Sequence, residues 1–514
     1  MALPPLEQSG RSQGRVVLVL LMLASAVVFL LNTRHGIGIL PDSVAYMHIG
    51  SASHFAPGYT WLLQAFEPLN HDIVGNAKYV GLVLVIINTW LFWRLLYRFC
   101  GSTPLAVAGT ALIAFSPVYI TMHRVAMSEP LLLFGIAASA LLFVHGLERR
   151  RPVWFVPAGV LMGLAILTRF AAAPMLAALC GVRLALRDVP LRSRLVQCAL
   201  LAGPAVVVCA IWLMANHLSA SASTGRELSF NGNPSLALWN SGLQSLSIML
   251  LPAPIPSAVR VPFFLLNLAA TLWLGAAYAR RWLGDADGLQ RSGWAALPIV
   301  FGLFALFYAL FLVASVLIQA SLPLNGRILL PLYVALVLVA VMAASALSRA
   351  GVLPRHLRTG LLILGAIILV SHAVRTAATT REAFQSGVGY ADIAWSRSPV
   401  LREVERLPTD ARLYSNAPDV ISFRLNRPAE YLPRKVNHLT LKEDPRNPFS
   451  AQMRRLRDDL ESGRAYVVVI DRVDWRFYIV PEAELLRDVP LQRIANVSDG
   501  RVYQFASASR AEAR

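Results

Sequence analysis

Two short segments of this sequence carry an acid beside residues that could put it to work. In Pro41-Asp42-Ser43-Val44-Ala45-Tyr46, Asp42 and Tyr46 are four positions apart, so a helix would present both on one face. Asp42 reads either as a helix-start residue after proline or as a general base for a hydroxyl proton. In His123-Arg124-Val125-Ala126-Met127-Ser128-Glu129-Pro130, Ser128 can cap the following helix, with Glu129 in its first turn and Pro130 just inside. Glu129 reads equally as the second acid of a site. Lys78, Arg124, Arg169 and Arg327 flank apolar runs on the same side of the pattern as these acids. One such cation needs no partner beyond a lipid headgroup. Several of them facing two carboxylates have the make-up of a site that grips a phosphate while a carboxylate accepts a proton.

The elements that must position these residues are membrane spans. Of the 514 residues, 56% are hydrophobic and 15% charged, with a mean hydropathy of +0.55. A soluble globule this apolar could not cover itself with polar groups. Disordered, collagen-like and coiled-coil classes are excluded on the same ground. The four cysteines, Cys100, Cys180, Cys198 and Cys209, lie in or beside apolar runs and give no disulfide scaffold.

Eleven spans are expected, at about 16–32, 79–97, 104–121, 130–147, 153–168, 171–186, 195–216, 262–280, 295–318, 329–348 and 360–376. Ala24-Ser25-Ala26 resembles a signal cleavage site, but the apolar run continues to Leu31, so the first span reads as an uncleaved anchor. The fifth and sixth spans are kept separate at Thr168-Arg169. The stretch 234–251 reads as an interfacial or re-entrant helix.

With the N-terminus inside, 17 of the 24 Lys and Arg before residue 375 fall on the inner side and seven on the outer. That bias sets the direction and accounts for the net charge of +18 without nucleic acid. The segment 33–78 is then an outer loop. Within it, His54-Phe55-Ala56-Pro57-Gly58-Tyr59 turns into Thr60-Trp61-Leu62-Leu63, which reads as a juxtamembrane helix lying flat, its aromatics at the interface.

Beyond about residue 378 the composition changes. Residues 1–378 read as a transmembrane domain and 379–514 as a small outer α/β domain. Ala465–Ile470 and Ala411–Ser415 read as strands, and Leu491–Val497 with Val502–Phe505 as a hairpin around Ser498-Asp499-Gly500. Phe449–Ser462 reads as a helix, capped by Asn447 with Pro448 at its first position.

Taken in order, these features resemble the GT-C superfamily of integral membrane glycosyltransferases, in the branch of the protein O-mannosyltransferases and lipid A aminoarabinose transferases. The likeness rests on Asp42-Ser43 with Tyr46, on Pro57-Gly58-Tyr59, on Glu129-Pro130, and on Gly163–Arg169 and Arg327–Pro331. Two positions depart from it: the second acid is Glu where Asp is more frequent, and Ile328 stands where relatives often have an aromatic.

The resemblance implies a GT-C-like helical fold and transfer of a hexosyl or pentosyl group from a polyprenyl-phosphate donor to an acceptor hydroxyl. The acceptor would be a lipid, a glycan or a protein. Asp42 would be the general base of an inverting displacement. Glu129 would orient the acceptor or hold a divalent metal ion. Lys78, Arg124, Arg169 or Arg327 would meet the departing phosphate, and Tyr46, His54 and Tyr59 would line the sugar site or pack the loop, with interfacial anchoring the first role for Tyr46. No cofactor beyond such a metal is implied. The 44 Arg against three Lys suggest a GC-rich bacterial genome, hence a multi-pass protein of the inner membrane with its site and C-terminal domain in the periplasm. A transporter or flippase of a lipid-linked sugar is the alternative; it would place its ionisable groups near the bilayer midplane and often show repeats. A non-catalytic binding protein acting through the C-terminal domain is a third reading.

Overall fold

The computed structural model describes residues 8–49, 56–68, 70–219, 230, 234–284, 290, 292–319 and 322–506. All eleven apolar runs fall on helices. The first is α1 (Gln8–Asn32), followed by two short helices, α2 (Pro41–Tyr46) and α3 (Gly58–Ala65). The bundle continues through α4 (Ile73–Cys100), α5 (Thr103–Ala114), α6 (Pro117–His123), α7 (Glu129–Glu148), α8 (Phe155–Thr168), α9 (Ala173–Ala185) and α10 (Leu191–Ser219). It closes with α11 (Leu236–Leu250), α12 (Ser257–Leu283), α13 (Leu297–Ile318), α14 (Gly326–Arg349) and α15 (Arg355–Ser386). Among the described residues, eight helices are long and apolar enough to cross a bilayer, and α5 with α6 makes a ninth bent by 59°. Two shorter apolar helices, over Pro152–Thr168 and Phe170–Ala185, complete the bundle. The chain is a multi-pass membrane protein.

Local sequence explains the breaks. Pro117 has no N–H to continue α5, and Ser116 restarts the helix by accepting from the Tyr119 N–H at 3.3 Å. Arg169 is extended (φ −155°, ψ 129°), so α8 ends at Thr168, and a 3-10 turn over Phe170–Ala172 leads into α9. These remain two helices, as the charge distribution requires. The bundle core is a single apolar cluster joining α1 and α4–α15.

Helix α15 runs past residue 378 to Ser386, and the chain leaves it at Gly387 (φ +89°). Helices α16 (Ile393–Ser396), α17 (Pro399–Glu405), α18 (Pro418–Leu425), α19 (Phe449–Glu461) and α20 (Glu482–Asp488) surround a five-stranded sheet. Its strands are β1 (Arg412–Ser415), β2 (Glu430–Tyr431), β3 (Ala465–Ile470), β4 (Leu491–Val497) and β5 (Gly500–Phe505), in spatial order β2-β1-β3-β5-β4. Strand β1 runs parallel to β2 and β3, whereas β5 is antiparallel to β3 and β4. Helix α19 starts at Phe449 and ends one residue before the expected Ser462, and its cap is Pro448 (ψ 151°) rather than Asn447. Asn447 is engaged elsewhere: its side-chain oxygen accepts from Arg455.

Two backbone pairings of the segment after α1 link it to the α6–α7 connection on one side and to this domain on the other. Gly38 pairs with Val125, donating to the Arg124 carbonyl at 2.8 Å and accepting from the Ala126 N–H at 2.9 Å. Ile39 pairs with Gly389 and accepts from the Tyr390 N–H at 2.7 Å. Gly389 has φ +59°, and a Cβ there would lie 2.1 Å from the Ile39 carbonyl oxygen. Only glycine permits that approach. A second apolar core, including Ile37, Ile39, Val44, Tyr46, Val420, Ile421 and Val468, spans the joint.

Candidate active site

The site is built where the chain leaves α1, joins α6 to α7, joins α8 to α9 and enters α14. The Gly38–Val125 pairing holds the start of α2 beside the start of α7. Leu40 is the extended cap of α2, Pro41 supplies a preset φ, and Asp42 falls in the first turn. Its carboxylate does not cap that helix. It meets Arg327 instead, Nη1 to Oδ2 at 2.6 Å. Asn325 caps α14 by accepting from the Ile328 N–H at 3.3 Å, which fixes Arg327 in the first turn of that helix.

Arg327 also donates through Nε to Glu129 Oε1, and Arg169 donates Nη1 to the same oxygen at 2.8 Å. Glu129 is 1% exposed. A lone carboxylate buried to that degree is costly, and the two guanidiniums offset the cost. Its Oε2 is buried with no hydrogen-bond partner. One guanidinium thus links the two acids from opposite ends of the sequence, and a second holds the inner acid.

Ser128 does not cap α7, contrary to expectation; its hydroxyl makes no capping bond. The Tyr46 and Ser128 hydroxyls are hydrogen-bonded at 3.0 Å, and Arg169 Nη1 donates to Ser128 at 3.3 Å. Sequence reasoning missed this linking role because its signal, a serine before Glu-Pro, is identical to that of a cap.

Tyr46 and Tyr59 are not interfacial anchors. They are 3% and 2% exposed and meet edge to face, with ring centroids 5.4 Å apart. The turn Pro57-Gly58-Tyr59 makes this contact possible. A Cβ on Gly58 would lie 2.6 Å from Thr168 Oγ1 and 2.9 Å from the Thr168 nitrogen, so glycine lets α3 close onto the end of α8. Thr60 then donates to the Tyr46 carbonyl at 2.9 Å. Burial is the largest effect on both phenols and raises their pKa, so each is a neutral hydroxyl near pH 7.

Neither Arg124 nor Lys78 is hydrogen-bonded or ion-paired to this cluster among the described residues. Arg124 donates Nη1 to Asn32 Oδ1 and to the Thr379 carbonyl, each at 3.2 Å, tying α1 to α15. Lys78 is half-buried on the first turns of α4. His54 lies outside the described residues. Asp42 acts electrostatically on Tyr478 of the C-terminal domain. Burial raises that phenol's pKa, Arg476 and Arg434 offset part of the rise, and Asp419 and Asp42 add to it.

The described residues do not fit a metal centre. The Arg327 guanidinium links the two carboxylates, and no group of three or more His, Cys, Asp or Glu suited to an ion occurs among the described residues.

Residues 54–214 match the family described as dolichyl-phosphate-mannose-protein mannosyltransferase. That segment contains Glu129 and Arg169 but neither Asp42 nor Arg327. No curated protein sequence matches the chain. Among solved structures, ArnT from Cupriavidus metallidurans bound to undecaprenyl phosphate is similar, with TM-score 0.58 and 14% identity, over 95% of this chain and 98% of that one. The archaeal oligosaccharyltransferase AglB from Archaeoglobus fulgidus, in complex with an inhibitory peptide and a dolichol-phosphate, gives 0.51 and 13%, over 98% and 75%. The arabinofuranosyltransferase AftD from Mycobacteria gives 0.53 and 15%, over 96% of this chain and 40% of AftD. The fold of the chain is that of the GT-C glycosyltransferases.

Proposed function

We propose that this chain, which carries the GT-C glycosyltransferase fold, moves a hexosyl or pentosyl group from a polyprenyl-phosphate donor to an acceptor hydroxyl, with inversion. The observation that carries the reading is the Arg327 guanidinium shared between Asp42 and Glu129. The fold agrees with it, as do the lipid phosphates named with ArnT and AglB. A donor with a polyprenyl tail stays in the bilayer, which accounts for an embedded site.

With no donor present, Arg327 neutralises two acids. An arriving phosphodiester competes for the same guanidinium and frees Asp42. Asp42 then takes the proton of the acceptor hydroxyl as that oxygen attacks the anomeric carbon. The bond from that carbon to the phosphate oxygen breaks on the opposite face, which inverts the configuration. The departing monoester gains negative charge, and Arg327 and Arg169 are placed to stabilise it. Glu129 positions both arginines, and its unpartnered Oε2 can receive a hydroxyl of the sugar or acceptor. Tyr46 and Tyr59 form the wall behind them. No step is assigned to a metal.

The acceptor class is a lipid, glycan or protein hydroxyl. The arginine-rich loops at the other end of the bundle support an inner-membrane enzyme whose site and C-terminal domain face the periplasm.

The test compares purified wild type with Asp42→Asn on a panel of radiolabelled polyprenyl-phosphate sugars. Transfer by wild type alone, with the lipid still bound by the variant, supports the reading. If both bind the lipid and neither cleaves it, the chain is a transporter or flippase of the lipid-linked sugar.

A further inference from the structure

At the end of the bundle opposite Asp42 lies a cavity of about 740 Å³, bounded by the start of α1 and the ends of α4 and α7. Its rim carries Arg15, Arg94, Arg98 and Arg149. None of the four forms a salt bridge among the described residues. The one carboxylate in the lining, Glu148, accepts from Ser292 Oγ at 3.0 Å and the Trp294 N–H at 3.3 Å, so it serves neutral donors. The cavity is therefore cationic.

Aromatic rings frame these guanidiniums. Arg98 lies over Trp294, 5.3 Å from the ring centroid. Trp93 stacks on Tyr97 at 5.1 Å, and Trp154 meets His145 edge-on at 4.6 Å. Gly14 lets α1 close onto this wall, since a Cβ there would lie 2.8 Å from the Tyr97 oxygen.

Polarity is layered along the helix axes. Leu18 is one turn deeper than Arg15, Trp90 one turn deeper than Arg94, and Leu141 and Leu142 about one turn deeper than His145. A soluble phosphate would use only the cationic layer. A phospholipid uses both, its phosphate at the guanidiniums and its acyl chains along the apolar wall below. Indoles at headgroup level and basic pockets between spans suit the same ligand.

We infer that this cavity is a binding site for the phosphate headgroup of an anionic phospholipid of the surrounding leaflet, separate from the candidate active site. The inference does not depend on the proposed transfer reaction.

Delipidated protein in detergent is titrated with phosphatidylglycerol, phosphatidylcholine, undecaprenyl phosphate and inorganic phosphate, and bound species are counted by native mass spectrometry. Wild type is expected to retain phosphatidylglycerol in preference to phosphatidylcholine and inorganic phosphate, with undecaprenyl phosphate as the probe of the separate candidate active site. Arg94→Gln/Arg98→Gln should weaken that retention roughly tenfold or more. Arg187→Gln/Arg192→Gln, on the α9–α10 connection and the first turn of α10 outside the cavity, should leave it unchanged. Should the first double variant not purify as a monodisperse species, Arg15→Gln/Arg149→Gln reads the same rim with exposed side chains.

Equal retention by cavity variant and wild type, or equal loss in the loop control, overturns the site. Equal binding of phosphatidylcholine overturns the headgroup assignment. Preference for inorganic phosphate over phosphatidylglycerol, or a loss of undecaprenyl phosphate rather than phosphatidylglycerol in Arg94→Gln/Arg98→Gln, overturns the membrane phospholipid as ligand.

Discussion

Arg327 Nη1 donates to Asp42 Oδ2 at 2.6 Å, joining residues 285 positions apart in the chain. Through Nε the same guanidinium reaches Glu129, so the first turn of α14 closes a site begun by α2 and α7. Two acids that would repel each other are held together by a cation that a phosphate can also claim.

Arg327→Gln is expected to lower kcat by about 10² or more, because it removes the planar donor from both acids and from the leaving phosphate. Arg327→Lys should recover only part, since an ammonium cannot bridge two carboxylates as a fork does. Steady-state transfer from a polyprenyl-phosphate sugar checks both. Equal rates for Lys and Arg would show that charge alone suffices.

Glu129→Gln should destabilise the bundle by about 3 kcal/mol, because it leaves Arg169 and Arg327 without their shared buried partner. Thermal unfolding in detergent measures this, with Glu129→Asp expected between wild type and Gln. A Gln variant that melts with wild type would mean that the carboxylate does not hold the two arginines.

Gly389→Ala should loosen the C-terminal domain from the bundle. The new Cβ meets the Ile39 carbonyl at a position with positive φ, a cost above about 1 kcal/mol. Faster tryptic cleavage around residues 387–397 is the expected readout. Gly360→Ala is the control, since nothing lies within 4 Å of a Cβ there.

The stability of the C-terminal domain should depend on Glu482. Burial pushes its pKa up, but hydrogen bonds from Arg501 (2.6 and 2.8 Å) and Tyr503 (2.5 Å) outweigh this and hold it low. A depressed carboxylate stabilises the fold above its unfolded pKa of about 4.3, and the contribution is lost as pH falls through the folded value. Glu482→Gln should therefore melt below wild type at pH 7, and the gap should narrow below about pH 4. A gap that does not change with pH would assign the effect to packing.

The helices and strands were largely legible because their signals are local. Apolar runs marked the long bundle helices, and Ala465–Ile470 matched its strand residue for residue. The hairpin turn was right, although β5 begins at Gly500, two positions before the apolar residues that announced it. The cap of α19 was displaced by one residue because proline can supply the extended backbone that an asparagine cap would otherwise provide.

The candidate site was legible only as a set of residue types. Composition singled out Asp42 and Glu129, since acids are few before residue 375. Which cation each would meet could not be read, because pairing across 198 or 285 residues depends on how helices pack. Arg124 and Arg169 looked alike in sequence, each a lone basic residue at a helix end. Packing sent Arg124 to α15 and Arg169 to Glu129. Tyr46 and Tyr59 lay in a segment read as interfacial, and the closure of Gly58 onto Thr168 accompanies their burial. The sequence by itself determined that this is a multi-span protein with acids and cations gathered at one end, because hydropathy and charge act residue by residue. Only the tertiary structure decided which of those charges share a site, because a charge finds its partner in space.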